Sequence, residues 1–183
     1  MNTYFTQIKK EFSYYKMLGE KTFDQVPSEK LFWKVNNQSN SIAIIVQHLS
    51  GNMQSRWTDF LTSDGEKKWR DREAEFRIVI NSKNELISVW NKGWSCLFKA
   101  LDQLSENDLD RIVYIRNMGH SVREAIYRQL AHYAYHVGQI VFLGKLIANE
   151  NWSTLSIHIG ESERYNQEKF AQSKERKHFT DDL

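Results

Sequence analysis

A single proline, Pro27, interrupts the 183 residues of this chain, and only eight glycines accompany it. Proline and glycine are the residues that most often end helices and form tight turns. A long chain that is poor in both favours helices over a turn-rich β design. Four long segments also carry apolar residues at helical spacing. The sequence therefore predicts an all-α fold, most simply a four-helix bundle.

The four predicted helices cover residues 2 to about 20, about 41 to 61, 83 to 103, and 122 to 149. The first is expected to end near Gly19, because glycine commonly follows the last turn of a helix. The fourth has the clearest start. Residues 121 to 124 read Ser-Val-Arg-Glu, which is the pattern of a capping box.

Two apolar stretches between the helices predict a short hairpin-like excursion. Apolar residues alternate at Phe76, Ile78 and Ile80, and a second apolar run covers Ile112 to Ile115. Alternation is typical of strands, so these two stretches are expected to pair. The connection over residues 21 to 40 is expected to contain a helical turn.

The length and charge of the chain limit the classes of protein to which it can belong. It is long enough for one domain, expected over residues 1–170, with a charged and flexible tail over residues 171–183. The 25 basic and 23 acidic residues nearly balance, which argues against nucleic acid or an anionic membrane as a partner. The longest apolar run, Ile42 to Val46, is far too short to span a bilayer. One cysteine, Cys96, and no signal-peptide pattern at the start predict a cytoplasmic protein.

His132 and His136 lie four positions apart on the predicted fourth helix. Four helical residues turn about 400°, so the two imidazoles lie about 40° apart on one face. This spacing lets two ligands from one helix reach one metal ion. The same pair also arises by chance, with no function.

His48 lies on or beside the inward stripe of the predicted second helix. It is either a core histidine with a hydrogen-bond partner or a third ligand that meets His132 and His136. Tyr133 follows the first histidine where zinc proteases carry a glutamate, so no general base is built into this helix. Three neutral histidines would leave an open position, suited to activating water or holding a thiolate.

Other polar residues near the pair are weaker candidates. Gln129 and Gln139 could orient a ligand ring or a bound water, or be ordinary packing residues. His120 and His158 are expected to have no part in the metal site. The loop from Trp69 to Phe76 either lines a substrate entrance, with its two arginines meeting a carboxylate, or is a solvated loop anchored by Trp69.

The segment from Ala125 to Val141 resembles the last bundle helix of the DinB/YfiT-like superfamily, and more narrowly of a branch with no assigned activity. Three further stretches support the resemblance. Ser41 to His48, followed by Gly51-Asn52, is similar to the helix that carries the first metal histidine of the superfamily. Lys68 to Phe76 is similar to the charged loop of the branch, and Trp152 to Asn166 to its C-terminal signature, although His158 stands where a proline is expected.

The resemblance implies a four-helix bundle, often homodimeric, with one divalent metal ion (zinc, nickel or iron) on His48, His132 and His136. Relatives include enzymes that use low-molecular-weight thiols such as bacillithiol. The first functional hypothesis is therefore a metal-dependent enzyme, a thiol S-transferase or a hydrolase, that acts on a small molecule. The alternative is a non-catalytic, metal-binding or stress-response bundle that acts through protein partners. It is favoured by the lack of a recognisable acid, base or nucleophile at fixed spacing.

Overall fold

A computed structural model describes residues 3–77 and 79–182. In this part of the chain the secondary structure is mainly helical, with one small antiparallel hairpin. The elements, in chain order, are α1 (Tyr4–Gln25), α2 (Ile42–Trp57), α3 (Lys83–Asp102), β1 (Ile112–Ile115), β2 (Met118–Ser121), α4 (Val122–Ala148) and α5 (Ser162–Phe170).

The four long helices are where the apolar periodicity predicts them, which confirms the all-α bundle. Serine caps three of them. The hydroxyls of Ser41, Ser82 and Ser121 accept hydrogen bonds from backbone amides in the first turns of α2, α3 and α4. At the start of α4 the Glu124 carboxylate also accepts from the Ser121 amide. This reciprocal pair satisfies two amides that the helix itself leaves unpaired, and it confirms the predicted capping box.

The prediction that α1 ends near Gly19 is wrong, since the helix continues to Gln25. Gly19 instead allows a close approach between helices. A Cβ atom at this position would lie 2.5 Å from Cζ2 of Trp90, a fully buried side chain of α3. The glycine is therefore explained by packing against an indole ring, not by helix termination.

The core lies between two helix pairs, α2 with α3 and α1 with α4, and α2 also contacts α4. Aromatic rings fill its centre, where Phe12 meets Trp57, Trp94 and Tyr133. The Trp57 indole donates a 2.9 Å hydrogen bond to the Tyr133 hydroxyl, which donates to Asn52 Oδ1 at 3.1 Å. All three side chains are buried, so these two hydrogen bonds hold α2 against α4 in the absence of competing water.

The predicted hairpin is present, but the prediction for the partner of its Ile112 to Ile115 strand is wrong. β1 pairs with β2, with Ile112 opposite Ser121, and not with residues 76, 77, 79 or 80. Phe76 instead ends a 3-10 turn, Ala74–Phe76, and Ile78 lies outside the described residues. The hairpin turns at two residues with positive φ, Arg116 and Asn117. A two-residue turn of this kind matches the twist of the strands.

The connection after α1 contains a 3-10 turn, Ser28–Phe32, as expected for residues 21 to 40. The short α5 was not predicted, because none of its residues is buried and no apolar stripe marks it. In the tail, His178 pairs with Glu11 and Phe179 packs on Tyr14, both of α1. The flexibility expected of this tail concerns its motion and stays a prediction.

Across residues 3–77 and 79–182, no helix has both the length and the hydropathy that crossing a bilayer requires.

Candidate metal centre

The structure brings the three predicted histidines together. α2 contributes His48, and α4 contributes His132 and His136 from successive turns. Their potential ligand nitrogens all lie within 4.8 Å of one another. The ring centroids are 4.7 Å apart for the pair on α4, and 4.9 and 5.5 Å from His48 to His136 and His132. We call these three side chains the histidine cluster.

His48 is held in place by a carboxylate that the sequence did not reveal. Its Nδ1 lies 2.9 Å from Oε2 of Glu75, and both side chains are buried. The Phe76 ring stacks on the imidazole with centroids 4.9 Å apart. Because the Nδ1–H donates to the carboxylate, the free lone pair of the neutral ring is on Nε2. This is the arrangement in which an outer carboxylate orients a metal-binding histidine.

Hydrogen bonds from Arg70 hold the Glu75 carboxylate in position. The guanidinium donates from Nε and Nη2 to the two carboxylate oxygens at 2.7 and 2.9 Å. Burial acts to raise the pKa of Glu75, but hydrogen bonds from His48 and Arg70 outweigh it and hold the pKa below its usual value. The carboxylate therefore stays ionised while buried. Arg70 meets a carboxylate of the protein itself, so it is not the free anion-binding group that the loop hypothesis considered.

Both histidines of α4 are neutral at ordinary pH. Burial, together with the neighbouring histidines, lowers the pKa of His132 to about 3 and that of His136 to about 4. A weaker interaction with Gln139 acts in the opposite direction on His136. Metal binding needs the unprotonated imidazole, so both rings already have the protonation state that a ligand requires.

The cluster fits the divalent ion that the resemblance implies. Ligands of a tetrahedral zinc at about 2.05 Å are roughly 3.4 Å apart, and the three nitrogens, all within 4.8 Å of one another, are close to that spacing. Nδ1 of His136 is buried and has no hydrogen-bond partner among the described residues. A buried polar atom of this kind is costly unless something binds it.

The predicted supporting glutamines take different positions. Gln129 is buried beside the cluster, and its Oε1 has no partner in the described part of the chain. Gln139 is half-buried, forms a side-chain hydrogen bond with His136, and also lines a separate groove beside Phe142. His120, on β2, and His158, in the exposed loop before α5, lie outside the cluster. Neither was expected to join it.

A cavity of about 320 Å³ opens onto the cluster. We call it the histidine cavity. Most of its lining is polar or charged, and no carboxylate contributes to it among the residues that the structure describes. It is lined by His48, Asn52, Arg56, Arg70, Arg72, Phe76, Arg116, Arg128, Gln129, His132 and His136.

Comparison with known proteins agrees with this architecture. A family model described as "Protein of unknown function (DUF1572)" matches residues 1–161. The chain belongs to the DUF1572 family. The crystal structure of a DinB-like protein, YjoA, from Bacillus subtilis superposes with a TM-score of 0.61 at 14% sequence identity, covering 82% of this chain and 96% of that one. This DUF1572 protein therefore has a DinB-like fold, as the resemblance implied. No curated protein matches the sequence.

Proposed function

We propose that this protein is a metal-dependent enzyme that acts on a small molecule at the histidine cluster. The observation that carries the proposal is three imidazoles that meet at an open cavity, with no fourth potential protein ligand in the cluster among the residues that the structure describes. Structural zinc sites are closed by four protein ligands, whereas catalytic sites keep a position open. His48, His132 and His136 would hold the ion, which would supply Lewis-acid stabilisation of negative charge.

The chemistry of the cavity favours thiol transfer over hydrolysis. Apart from the three histidines, its lining offers arginines, two amides and Phe76, and so no general base among the described residues. A bound ion would lower the pKa of a thiol or of a water, so acidity does not separate the two nucleophiles. Hydrolysis, however, must also deliver a proton to the leaving group, which commonly takes a general acid or base, whereas a thiolate can displace a halide with no proton donor. Hydrolase activity is the second outcome that the assay must distinguish.

The chain's own residues would prepare the site in two ways. Glu75 orients His48 through Nδ1, and burial keeps the two histidines of α4 unprotonated. The arginine-rich walls make the cavity electropositive, which favours a thiolate over the neutral thiol. The single cysteine, Cys96, lies on α3 near Thr58 and is not part of the histidine cavity, so the thiol would have to come from a co-substrate.

The alternative is a non-catalytic, metal-binding bundle that acts through protein partners. The same lack of a general base in the cavity supports it. In that case the ion would stabilise the contact between α2 and α4 without turnover. Thermal stabilisation by metal with no activity towards any thiol or ester would favour this alternative.

Metal content tests the site. Protein purified without a histidine tag would be analysed by elemental analysis before and after reconstitution. We expect one divalent ion per chain in the wild type, and loss of that ion in His48→Ala and His136→Ala. The matched control is His158→Ala, a histidine outside the cluster. A wild type that binds no ion after reconstitution would overturn the proposal.

Activity tests the reaction. Metal-loaded protein would be incubated with bacillithiol and monochlorobimane, and separately with simple aryl esters. We expect metal-dependent conjugation that His132→Ala abolishes. Ester turnover without conjugation would instead indicate a hydrolase. Equal rates for the wild type and His132→Ala in both assays would contradict the enzyme hypothesis.

A further inference from the structure

The strongest unexplained feature of the histidine cavity is its positive charge. Five of its eleven lining residues are arginines, and they come from α2, the following loop, the hairpin turn and α4. Arginines from four separate parts of the chain thus face one small space. Charges of one sign are brought together in this way at a cost in repulsion, which a bound anion would relieve. The five are Arg56, Arg70, Arg72, Arg116 and Arg128.

Three of these arginines are engaged by carboxylates of the protein. Arg70 binds Glu75 through two hydrogen bonds. Glu66 then takes contacts from Arg56, Arg70 and Arg116 at 3.0 to 3.3 Å. Two carboxylates therefore form ion pairs with three guanidinium groups, and neither carboxylate lines the cavity. Three positive charges against two negative charges leave this network net positive.

The other two arginines are the ones available to a ligand. Arg128 forms no hydrogen bond or ion pair within the described part of the chain. It lies on α4 one turn before His132, and its charge contributes to lowering the pKa of that histidine. Within the described residues Arg72 forms one ion pair, with its exposed neighbour Glu73 at 3.2 Å, and its guanidinium lies over the Phe76 ring at 5.1 Å. An exposed pair of this kind is weak.

Two buried polar groups in the same lining also lack partners. Among the residues that the structure describes, Nε of Arg56 is a buried donor with no acceptor, and Oε1 of Gln129 is equally unpaired. Both residues are more than nine-tenths buried. The Gln129 carboxamide can present either its oxygen or, after a half-turn, its N–H donors. Unsatisfied buried groups beside free guanidinium groups are consistent with a polar ligand that completes their hydrogen bonds.

We infer that the histidine cavity binds the oxyanion group of its substrate, a carboxylate or a phosphate, between Arg128 on α4 and Arg72 on the loop. A planar guanidinium holds such a group through two parallel hydrogen bonds. The anion would lie beside the histidine cluster and present the remainder of the molecule to it. A volume of about 320 Å³ is at the low end for small-molecule sites, so the ligand is of metabolite size.

This inference rests on the proposed function in treating the ligand as the substrate, but the anion site is tested without metal. Inorganic phosphate and malonate would each be titrated into metal-free protein at constant ionic strength, with binding followed by NMR shifts of backbone amides. We expect saturable shifts around the cavity. Arg128→Gln and Arg72→Gln should each weaken the apparent Kd at least roughly tenfold, the loss typical of one charge-assisted contact.

The control variant is Arg164→Gln, which removes the same charge from an exposed position on α5. It should bind both anions as the wild type does. Saturation by phosphate alone, by malonate alone or by both would identify a phosphate, a carboxylate or a general oxyanion site. Shifts that never saturate, or that are equal in all four proteins, would overturn the inference. Both cavity arginines are largely exposed, and circular dichroism would verify that the variants fold.

Metal analysis of the same proteins separates the two proposals. Anion binding that persists in a wild type unable to take up metal would leave this inference standing and remove the proposed function. Stoichiometric metal without saturable anion binding would overturn this inference and leave the proposed function standing.

Discussion

His48 and Glu75 form a buried hydrogen bond of 2.9 Å across 27 residues of sequence. The bond joins the centre of α2 to the charged loop that follows it, and Arg70 binds the same carboxylate from the other side. The loop is therefore part of the candidate metal centre. It aligns one ring of the histidine cluster and supplies part of the wall of the cavity above it.

Replacement of Glu75 by glutamine tests this role. The amide keeps the size of the side chain but loses the charge that orients and polarises His48. Outer carboxylates of this kind typically contribute roughly 10- to 100-fold to metal affinity, so we expect a loss of that size. A competition titration against a chromophoric chelator would measure it.

Glu73→Gln is the matched control, because that carboxylate is exposed and pairs only with Arg72. Its metal affinity should equal that of the wild type. Wild-type affinity in Glu75→Gln would show that the hydrogen bond is structural alone. Arg70 would lose a charged partner in this variant, so its stability would be measured alongside.

The features that could be predicted from sequence are those with a local cause. Helical spacing predicts the four long helices, and the four-residue separation places His132 and His136 on one face. The Ser121 to Glu124 pattern marks the start of α4 because a capping box involves only four consecutive residues. The inward position of His48 follows from the stripe of α2, but its meeting with the other two histidines was implied by the family resemblance.

The features that were missed depend on contacts between distant segments. Nothing in the spacing of Glu75 distinguishes it from the other charges of its loop. A glycine at position 19 is typical of a helix end, yet its role is set by the contact with Trp90 on another helix. β2 is polar at most positions and carries no alternation, so the apolar run at Phe76 to Ile80 was the more plausible partner for β1.

The close approach of α1 to α3 makes Gly19 sensitive to substitution. In Gly19→Ala the new methyl group would meet the Trp90 ring at 2.5 Å, and the buried indole would have to shift. Overpacking of this kind costs about 1–3 kcal/mol, which should exceed the gain in helix propensity. Urea unfolding monitored by tryptophan fluorescence would measure the change in the free energy of unfolding.

Gly138→Ala is the matched control. Gly138 lies inside α4, and a Cβ there would have no atom within 4 Å. At a protein concentration where the chain is monomeric, only the helix propensity should change, so we expect stabilisation by about 0.5–1 kcal/mol. Equal effects of the two substitutions would contradict the packing explanation for Gly19.

The low pKa values of the α4 histidines predict a loss of stability in acid for the metal-free protein. His132 and His136 have pKa values of about 3 and about 4 in the fold, against about 6.5 in an unfolded chain. Between these values the unfolded state binds more protons, so the free energy of unfolding falls as the pH decreases. The loss should begin near pH 6.5 and continue to about pH 3, because His132 takes up its proton in the folded state only there.

Urea unfolding of metal-free protein at several pH values from 7.5 to 4.5 would measure this slope. The double variant His132→Gln/His136→Gln removes both titrating groups, and its stability should depend less on pH over the same range. His158→Gln, in an exposed loop, should keep the wild-type slope. A double variant as acid-sensitive as the wild type would refute the assignment.

The outer face of α4 predicts self-association. Tyr135, Phe142 and Leu146 are 65%, 66% and 49% exposed, and with Gly138 they form one stripe along the helix. Tyr135, Gly138 and Phe142 border a groove of about 590 Å³ that also includes Val35. An exposed apolar patch of this kind commonly marks an interface. We therefore propose that two copies of the chain pair through α4, which is the homodimer that the family resemblance implies.

Phe142→Glu tests this interface by placing a charge at its centre. Loss of a central aromatic contact typically costs about 2 kcal/mol or more, so the dissociation constant should rise at least roughly 30-fold. Light scattering during size-exclusion chromatography would measure the mass over a range of concentrations. Phe170→Glu, at an 84% exposed position on α5, should leave the dimer intact. A wild type that remains monomeric at high concentration, or two variants with equal effects, would rule out pairing through α4.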